Sequence, residues 1–114
     1  MTVTIWHNPR CSKSRITLSL LEEQGITPTV RLYLQDSPTA EEIKDALRAL
    51  QLPPGKLVRR GEKEYKDAGL SSDSSDAALI DAMARFPKLI ERPIVFANGS
   101  AKVGRPPEAV LDIL

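Results

Sequence analysis

Cys11 is the side chain of this sequence best suited to covalent chemistry. It is the only cysteine of the 114 residues. It lies in the stretch Ile5-Trp6-His7-Asn8-Pro9-Arg10-Cys11-Ser12-Lys13-Ser14-Arg15, which also holds the only histidine and the only tryptophan. Val3-Thr4-Ile5-Trp6 reads as a short strand, while Ile16, Leu18, Leu20 and Leu21 beyond the cysteine suit a helix. A thiol at such a junction meets the unpaired N–H groups and partial positive charge of a helix N-terminus. Arg10, Lys13 and Arg15 add cations that would lower its pKa further. A buried structural cysteine is the alternative, but polar and charged neighbours favour a reactive thiolate.

The other candidates are supporting groups. His7 is either a plain loop histidine or a group that holds the thiolate by charge or hydrogen bonding. Asn8 can fix the loop through side-chain-to-backbone bonds. Ser12 and Ser14 either donate hydroxyl hydrogen bonds to the sulfur or cap the helix. One histidine and one cysteine do not make a metal set, so no zinc site is expected. Arginines at 59, 60, 92 and 105 complete the inventory, because a guanidinium fork matches an oxyanion in a way lysine does not.

The elements that must position these groups can be read in order. A strand over about Thr2–Trp6 leads through the loop His7–Arg10 into a helix over about Ser12–Gln24, with Gly25 as its stop. A second strand is expected over about Thr29–Leu34, with Val30, Leu32 and Leu34 on one buried face. Thr39 and Glu42 form a capping box for a helix whose apolar face is Ile43, Ala46, Leu47 and Leu50. Short helices are expected over 55–70, followed by a helix over about Asp76–Arg85 with Leu79, Ile80, Met83 and Phe86 at helical spacing. Asn98-Gly99 between Ile94–Ala97 and Ser100–Val103 signals a hairpin. A last helix is expected over about Glu108–Leu114.

The layout is therefore β-α-β, a helical insertion over about 37–90, and β-β-α. This is an α/β chain with the order of a thioredoxin-like four-stranded mixed sheet, expected as a single domain over 1–114. A proline facing the cysteine is expected just before the third strand, commonly with a cis peptide bond, and Pro93 occupies that place. Arg92 then lies beside the cysteine. Cys11-Ser12-Lys13-Ser14 carries a hydroxyl where a redox-active C-x-x-C has its second thiol.

Bulk properties narrow the partners. Sixteen basic residues against 15 acidic ones give no reason to expect nucleic acid or a membrane surface, and no apolar run has the length of a membrane span. The start of the chain reads as a strand rather than a signal peptide, and a lone cysteine suits a reducing cytoplasm. A monomer is expected. Any redox cycle through Cys11 must borrow a thiol from another molecule.

The sequence resembles the glutaredoxin-coupled arsenate reductase family. The resemblance rests on His7-Asn8-Pro9-Arg10-Cys11-Ser12-Lys13-Ser14-Arg15, Glu91-Arg92-Pro93-Ile94-Val95 and Gly104-Arg105-Pro106-Pro107-Glu108. Leu32-Tyr33-Leu34, Leu57-Val58-Arg59-Arg60 with Tyr65, and Leu111-Asp112-Ile113-Leu114 extend it over essentially the whole chain. It implies Cys11 as the catalytic nucleophile and Arg59, Arg92 and Arg105 as ligands of the oxyanion; spacing to Tyr65 and Gly69-Leu70 favours Arg59 over Arg60. It further implies a thiol–arsenate adduct on Cys11, glutathione as co-substrate with no bound cofactor, and glutaredoxin as the protein partner. The same scaffold also occurs in relatives that regulate transcription by binding RNA polymerase, and in glutathione-dependent thiol-transfer proteins. These are the alternative readings.

Overall fold

The computed structural model describes residues 2–114. Its elements are β1 (Thr4–Trp6), α1 (Ser12–Glu23), β2 (Thr29–Arg31), α2 (Ala40–Leu50), α3 (Pro54–Leu57), α4 (Lys63–Asp67), α5 (Asp76–Arg85), β3 (Ile94–Ala97) and β4 (Ser100–Val103). Short 3₁₀ segments run over Pro87–Leu89 and Pro107–Ile113. The chain divides into two compact units, one formed by 1–36 with 92–114 and the other by 37–91.

The first unit is built on a sheet of order β2-β1-β3-β4. β1 and β2 are parallel, as expected of a β-α-β unit, and β3 runs antiparallel to both β1 and β4. Ile5 pairs with Val95, and alternation puts Val3, Ile5, Val95 and Ala97 on one face. There they are buried with Leu21 of α1 and Val110 of the C-terminal 3₁₀ helix. Trp6 and Phe96 share the other face, with ring centroids 5.1 Å apart, and the Arg31 guanidinium lies over the Trp6 ring. Asn98 and Gly99 both take positive φ, as a tight two-residue hairpin turn demands. The Asn98 amide also donates to the Ile113 carbonyl, tying the turn to the C-terminal segment.

Within the second unit, α2 packs on α5, and α3 also packs on α5. Both halves of the Thr39–Glu42 capping box form, and Ile43, Ala46 and Leu47 make the buried face of α2. α5 buries Leu79, Ala82 and Met83; Ile80 and Phe86 are only half-buried. Val58 and Ile90 form an isolated antiparallel bridge, reinforced by the Arg59 amide on the Leu89 carbonyl and the Glu91 amide on the Leu57 carbonyl.

The structure corrects the expected elements in three places. β2 ends at Arg31, and the chain turns at once, with the Gln35 and Asp36 amides both on the Leu32 carbonyl. Val30 and Leu34 are consequently exposed, while Tyr33 is buried, the reverse of the expected face. β2 is an edge strand, so a single partner and a short ladder suffice. β1 begins at Thr4, not Thr2. The last helix is 3₁₀ and not α. In α1, Ile16 is exposed, and the buried stripe runs Ser14, Thr17, Leu21. That stripe is polar at the end nearest the cysteine.

Candidate active site

Cys11 is the N-cap of α1, in extended conformation. A tight turn delivers it there. The Cys11 amide donates to the Asn8 carbonyl, and the Arg10 amide donates to the Asn8 side-chain oxygen at 3.0 Å, an Asx turn with proline inside it. The Arg15 guanidinium closes the loop from outside on the Pro9 carbonyl at 2.8 Å. Helix bonding starts with the Arg15 amide on the Cys11 carbonyl. The sulfur thus occupies the position that a Ser or Asp oxygen takes in an ordinary N-cap, opposite the amides of the second and third helical residues. As a neutral thiol it makes no capping hydrogen bond. Ionised, it can use both amides.

The electrostatics follow from that placement. Partial burial pushes the Cys11 thiol up, but the Ser14 amide, the charge and hydrogen bond of Arg92, and the Lys13 amide together leave it below its ordinary value. Arg92 is therefore the cation that acts on the sulfur. Arg10, Lys13 and Arg15, expected to share that role through their charges, do not; Lys13 contributes through its backbone, and the charge of Arg15 falls on His7.

His7 is 6% exposed and Ser14 is fully buried. The His7 Nδ1 and Ser14 Oγ atoms are 2.6 Å apart, and the Asn8 amide donates to the same oxygen at 3.0 Å. The Ser14 hydroxyl therefore serves His7 and Asn8, not the sulfur, and its backbone serves the sulfur. Burial first, and then the Arg15 charge, hold His7 below its ordinary value of 6.5, which keeps the ring neutral near pH 7. Ser12 is exposed as the first residue of α1.

Arg92 precedes Pro93 through a cis peptide bond. The Nε and Nη1 atoms of Arg92 are buried. The Arg105 Nε–H donates to the Arg92 carbonyl at 3.0 Å, which joins the two arginines across the ends of β3 and β4. A glycine permits the join. The Gly104 amide donates to the Pro93 carbonyl, and a Cβ at Gly104 would fall 2.6 Å from Thr17 Oγ1 and 2.8 Å from Pro93 Cγ. The close approach that Gly104 allows leaves no local pattern in the sequence.

Arg59 belongs to the second unit. It is half-buried and ion-paired with Glu62, three residues on, and with Glu91 at 3.7 Å. Arg60 is exposed. Glu62 and Glu91 were not candidates on sequence grounds; the Arg59–Glu62 spacing was the available signal for one of them. Among the described residues no group of three or more His, Cys, Asp and Glu side chains could hold a metal ion. No described helix is long and apolar enough to cross a membrane.

A family model described as the ArsC family matches residues 6–113. The chain belongs to the ArsC family. It is 46% identical over 116 residues to a Haemophilus influenzae protein named arsenate reductase, covering all of both chains. It is 52% identical over 114 residues to the Escherichia coli K12 protein YfgD, covering 98% of this chain and 96% of that one. The solved structure described as arsenate reductase from Vibrio cholerae superposes with a TM-score of 0.96 at 55% identity, over 100% of this chain and 98% of the other. The ArsC-type thioredoxin-like fold is thereby established for this chain, with its four-stranded mixed sheet.

Proposed function

We propose that the protein reduces arsenate to arsenite, with Cys11 as nucleophile. The observation that carries the reading is the pairing of a thiol held below its ordinary pKa with Arg92, a cation able to face both the sulfur and an incoming oxyanion. The similarity to arsenate reductases of Haemophilus influenzae and Neisseria meningitidis supports the choice of anion.

In the first step the Cys11 thiolate attacks arsenic(V), a sulfur–arsenic bond forms, and one arsenate oxygen leaves as water after protonation. Glutathione then attacks the adduct, and glutaredoxin resolves the mixed species so that arsenite leaves. Summed over the cycle, arsenate and two thiols give arsenite, one disulfide and water, so arsenic gains the two electrons that the thiols lose. The protein needs no bound cofactor for this and borrows both reducing thiols. Arg92 and Arg105 hold the anion, Arg59 is its third ligand, and Asn8 and Arg15 keep the loop in shape. The reaction belongs in a reducing cytoplasm and is carried out by a monomer. Arsenate is told from phosphate in the chemical step, since only arsenate readily accepts thiolate attack with reduction.

The test is arsenate-dependent NADPH oxidation with glutathione, glutathione reductase and glutaredoxin supplied. Wild type should turn over and Cys11→Ser should fall to background. Turnover of glutathionylated substrates with no requirement for arsenate would instead identify a thiol-transfer protein. A folded protein that is inactive with both and co-purifies with RNA polymerase would be a regulator.

A further inference from the structure

α1 carries its charges the wrong way round. A helix favours acidic residues in its first turn and basic ones in its last, where they offset the macrodipole. α2, α4 and α5 follow the rule at both ends, with Glu41 and Glu42 against Arg48, Glu64 against Lys66, and Asp76 against Arg85. α1 has no acidic residue in its first turn and no basic one in its last. It starts with Lys13 and Arg15 and ends with Glu22 and Glu23, and Arg10 adds a third cation just ahead of the cap. A local rule broken beside a reactive residue is expected where function requires it. Arg15 is tied to the Pro9 carbonyl. Arg10 and Lys13 are exposed on either side of the partly exposed Cys11 along the chain. Among the described residues neither side chain makes an ion pair or a hydrogen bond. Their backbones are nonetheless fixed: the Arg10 amide donates to the Asn8 side chain, and the Lys13 carbonyl accepts from the Thr17 hydroxyl at 2.7 Å.

We propose that Arg10 and Lys13 form a docking rim for the carboxylates of a small anionic thiol, which they bring to the sulfur of Cys11. The inference rests on Cys11 being the reacting group, as proposed above, and names the residues that select the thiol it reacts with. The oxyanion has arginines of its own, Arg92 with its Nε and Nη1 atoms buried and Arg105 joined to the Arg92 carbonyl. Exposed cations suit the reactant that arrives from solvent once the sulfur is occupied. Glutathione is the probe, since it carries two carboxylates and one ammonium group. The exchange that tests the rim starts from Cys11 in a mixed disulfide with nitrothiobenzoate. Glutathione gives its proton to solvent, and its thiolate attacks the Cys11 sulfur. The sulfur–sulfur bond to nitrothiobenzoate breaks, one to glutathione forms, and nitrothiobenzoate leaves as a coloured thiolate with no net oxidation.

The readout is the ratio of the glutathione rate to the mercaptoethanol rate, in which effects of a variant on the Cys11 sulfur cancel. Exposed ion pairs are individually weak, but reversing both cations turns attraction into repulsion. Arg10→Glu/Lys13→Glu should therefore lower the ratio about tenfold at low salt. Cysteamine, with an ammonium group in place of carboxylates, should gain on mercaptoethanol in the same variant. In wild type, about 1 M salt shortens the Debye length to about 3 Å and should bring the ratio most of the way to that of the double variant. Lys13→Glu also restores the charge order of α1, so its urea midpoint should not fall. Circular dichroism checks folding, and Arg10→Gln/Lys13→Gln, with an expected loss of about threefold, decides the matter if the charge-reversed protein does not fold. The proposal is overturned if the ratio in the folded variants stays within about 1.5-fold of wild type; a raised KM for arsenate in those variants would then give the cations to the oxyanion instead. The exchange itself needs no arsenate. A wild type with the expected thiol pattern and no arsenate turnover would support the rim and count against the proposed function.

Discussion

Arg92 and Arg59 show how differently the two units of this protein use the same side chain. Arg92 enters β3 ahead of a buried proline, and its charge acts on the Cys11 thiol. Arg59 sits beside the Val58–Ile90 bridge, and its charge is answered by Glu62 and Glu91. One guanidinium lowers the pKa of a nucleophile; the other is held by two carboxylates. Both are flanked by acidic neighbours in the chain, Arg59 by Glu62 and Arg92 by Glu91; it is the place of Arg92 directly before Pro93 that separates them in sequence.

The contrast can be broken by mutation. Arg92→Ala should have the largest effect, about 10²-fold or more on arsenate kcat/KM, in the range lost when a donor to developing negative charge is removed. It should also move the Cys11 titration upward. Arg59→Ala should cost less, on the order of tenfold in kcat/KM, with the thiol titration unmoved. An upward shift of that titration in Arg59→Ala would erase the distinction. Glu62→Gln sharpens it from the other side: freeing Arg59 from one carboxylate should lower KM for arsenate several-fold and leave Cys11 unchanged.

Gly104→Ala tests the frame that holds Arg92. The added methyl would meet Thr17 and Pro93, and overpacking of this kind costs about 1–3 kcal/mol, read as a drop in urea midpoint with unchanged slope. Because Arg105 and the Pro93 carbonyl are tied to the same turn, the Cys11 pKa should rise in this variant too.

The smallest expected effects are in the pH dependence of stability. Cys11 has a folded pKa below its ordinary 9.0, so between that folded value and 9.0 the unfolded chain holds a proton that the folded chain does not. Stability therefore rises with pH across this window, and the contribution is lost as pH falls through the folded pKa. Arg92→Ala should flatten that slope; Arg59→Ala should not. His7, held below 6.5 by burial and Arg15, adds a loss of stability as pH falls below 6.5, where the unfolded histidine protonates first. His7→Asn should remove that component. Urea titrations at a series of pH values would measure both.

Much of this was legible residue by residue. The capping box at Thr39 and Glu42, the Asn98-Gly99 turn and the helix over Asp76–Arg85 are local events, set by side chains within a few positions of one another, and each forms where the spacing puts it. Tyr33 departs from the expected alternation because the turn after β2 overrides it.

The sequence by itself determined that a lone cysteine would begin a helix, that it would have no internal thiol partner, and that arginines would be at hand. Only the tertiary structure decided that Arg10, Lys13 and Arg15 give way to Arg92 as the cation acting on the sulfur, that Ser14 acts on it through its backbone, and why position 104 favours glycine. The reason is one of range. Caps and turns are closed by neighbours along the chain, whereas a thiol pKa responds to whatever lies within a few ångströms in space. For Cys11 that company, Arg92 foremost, arrives from some eighty residues away through the antiparallel pairing of β3 with β1.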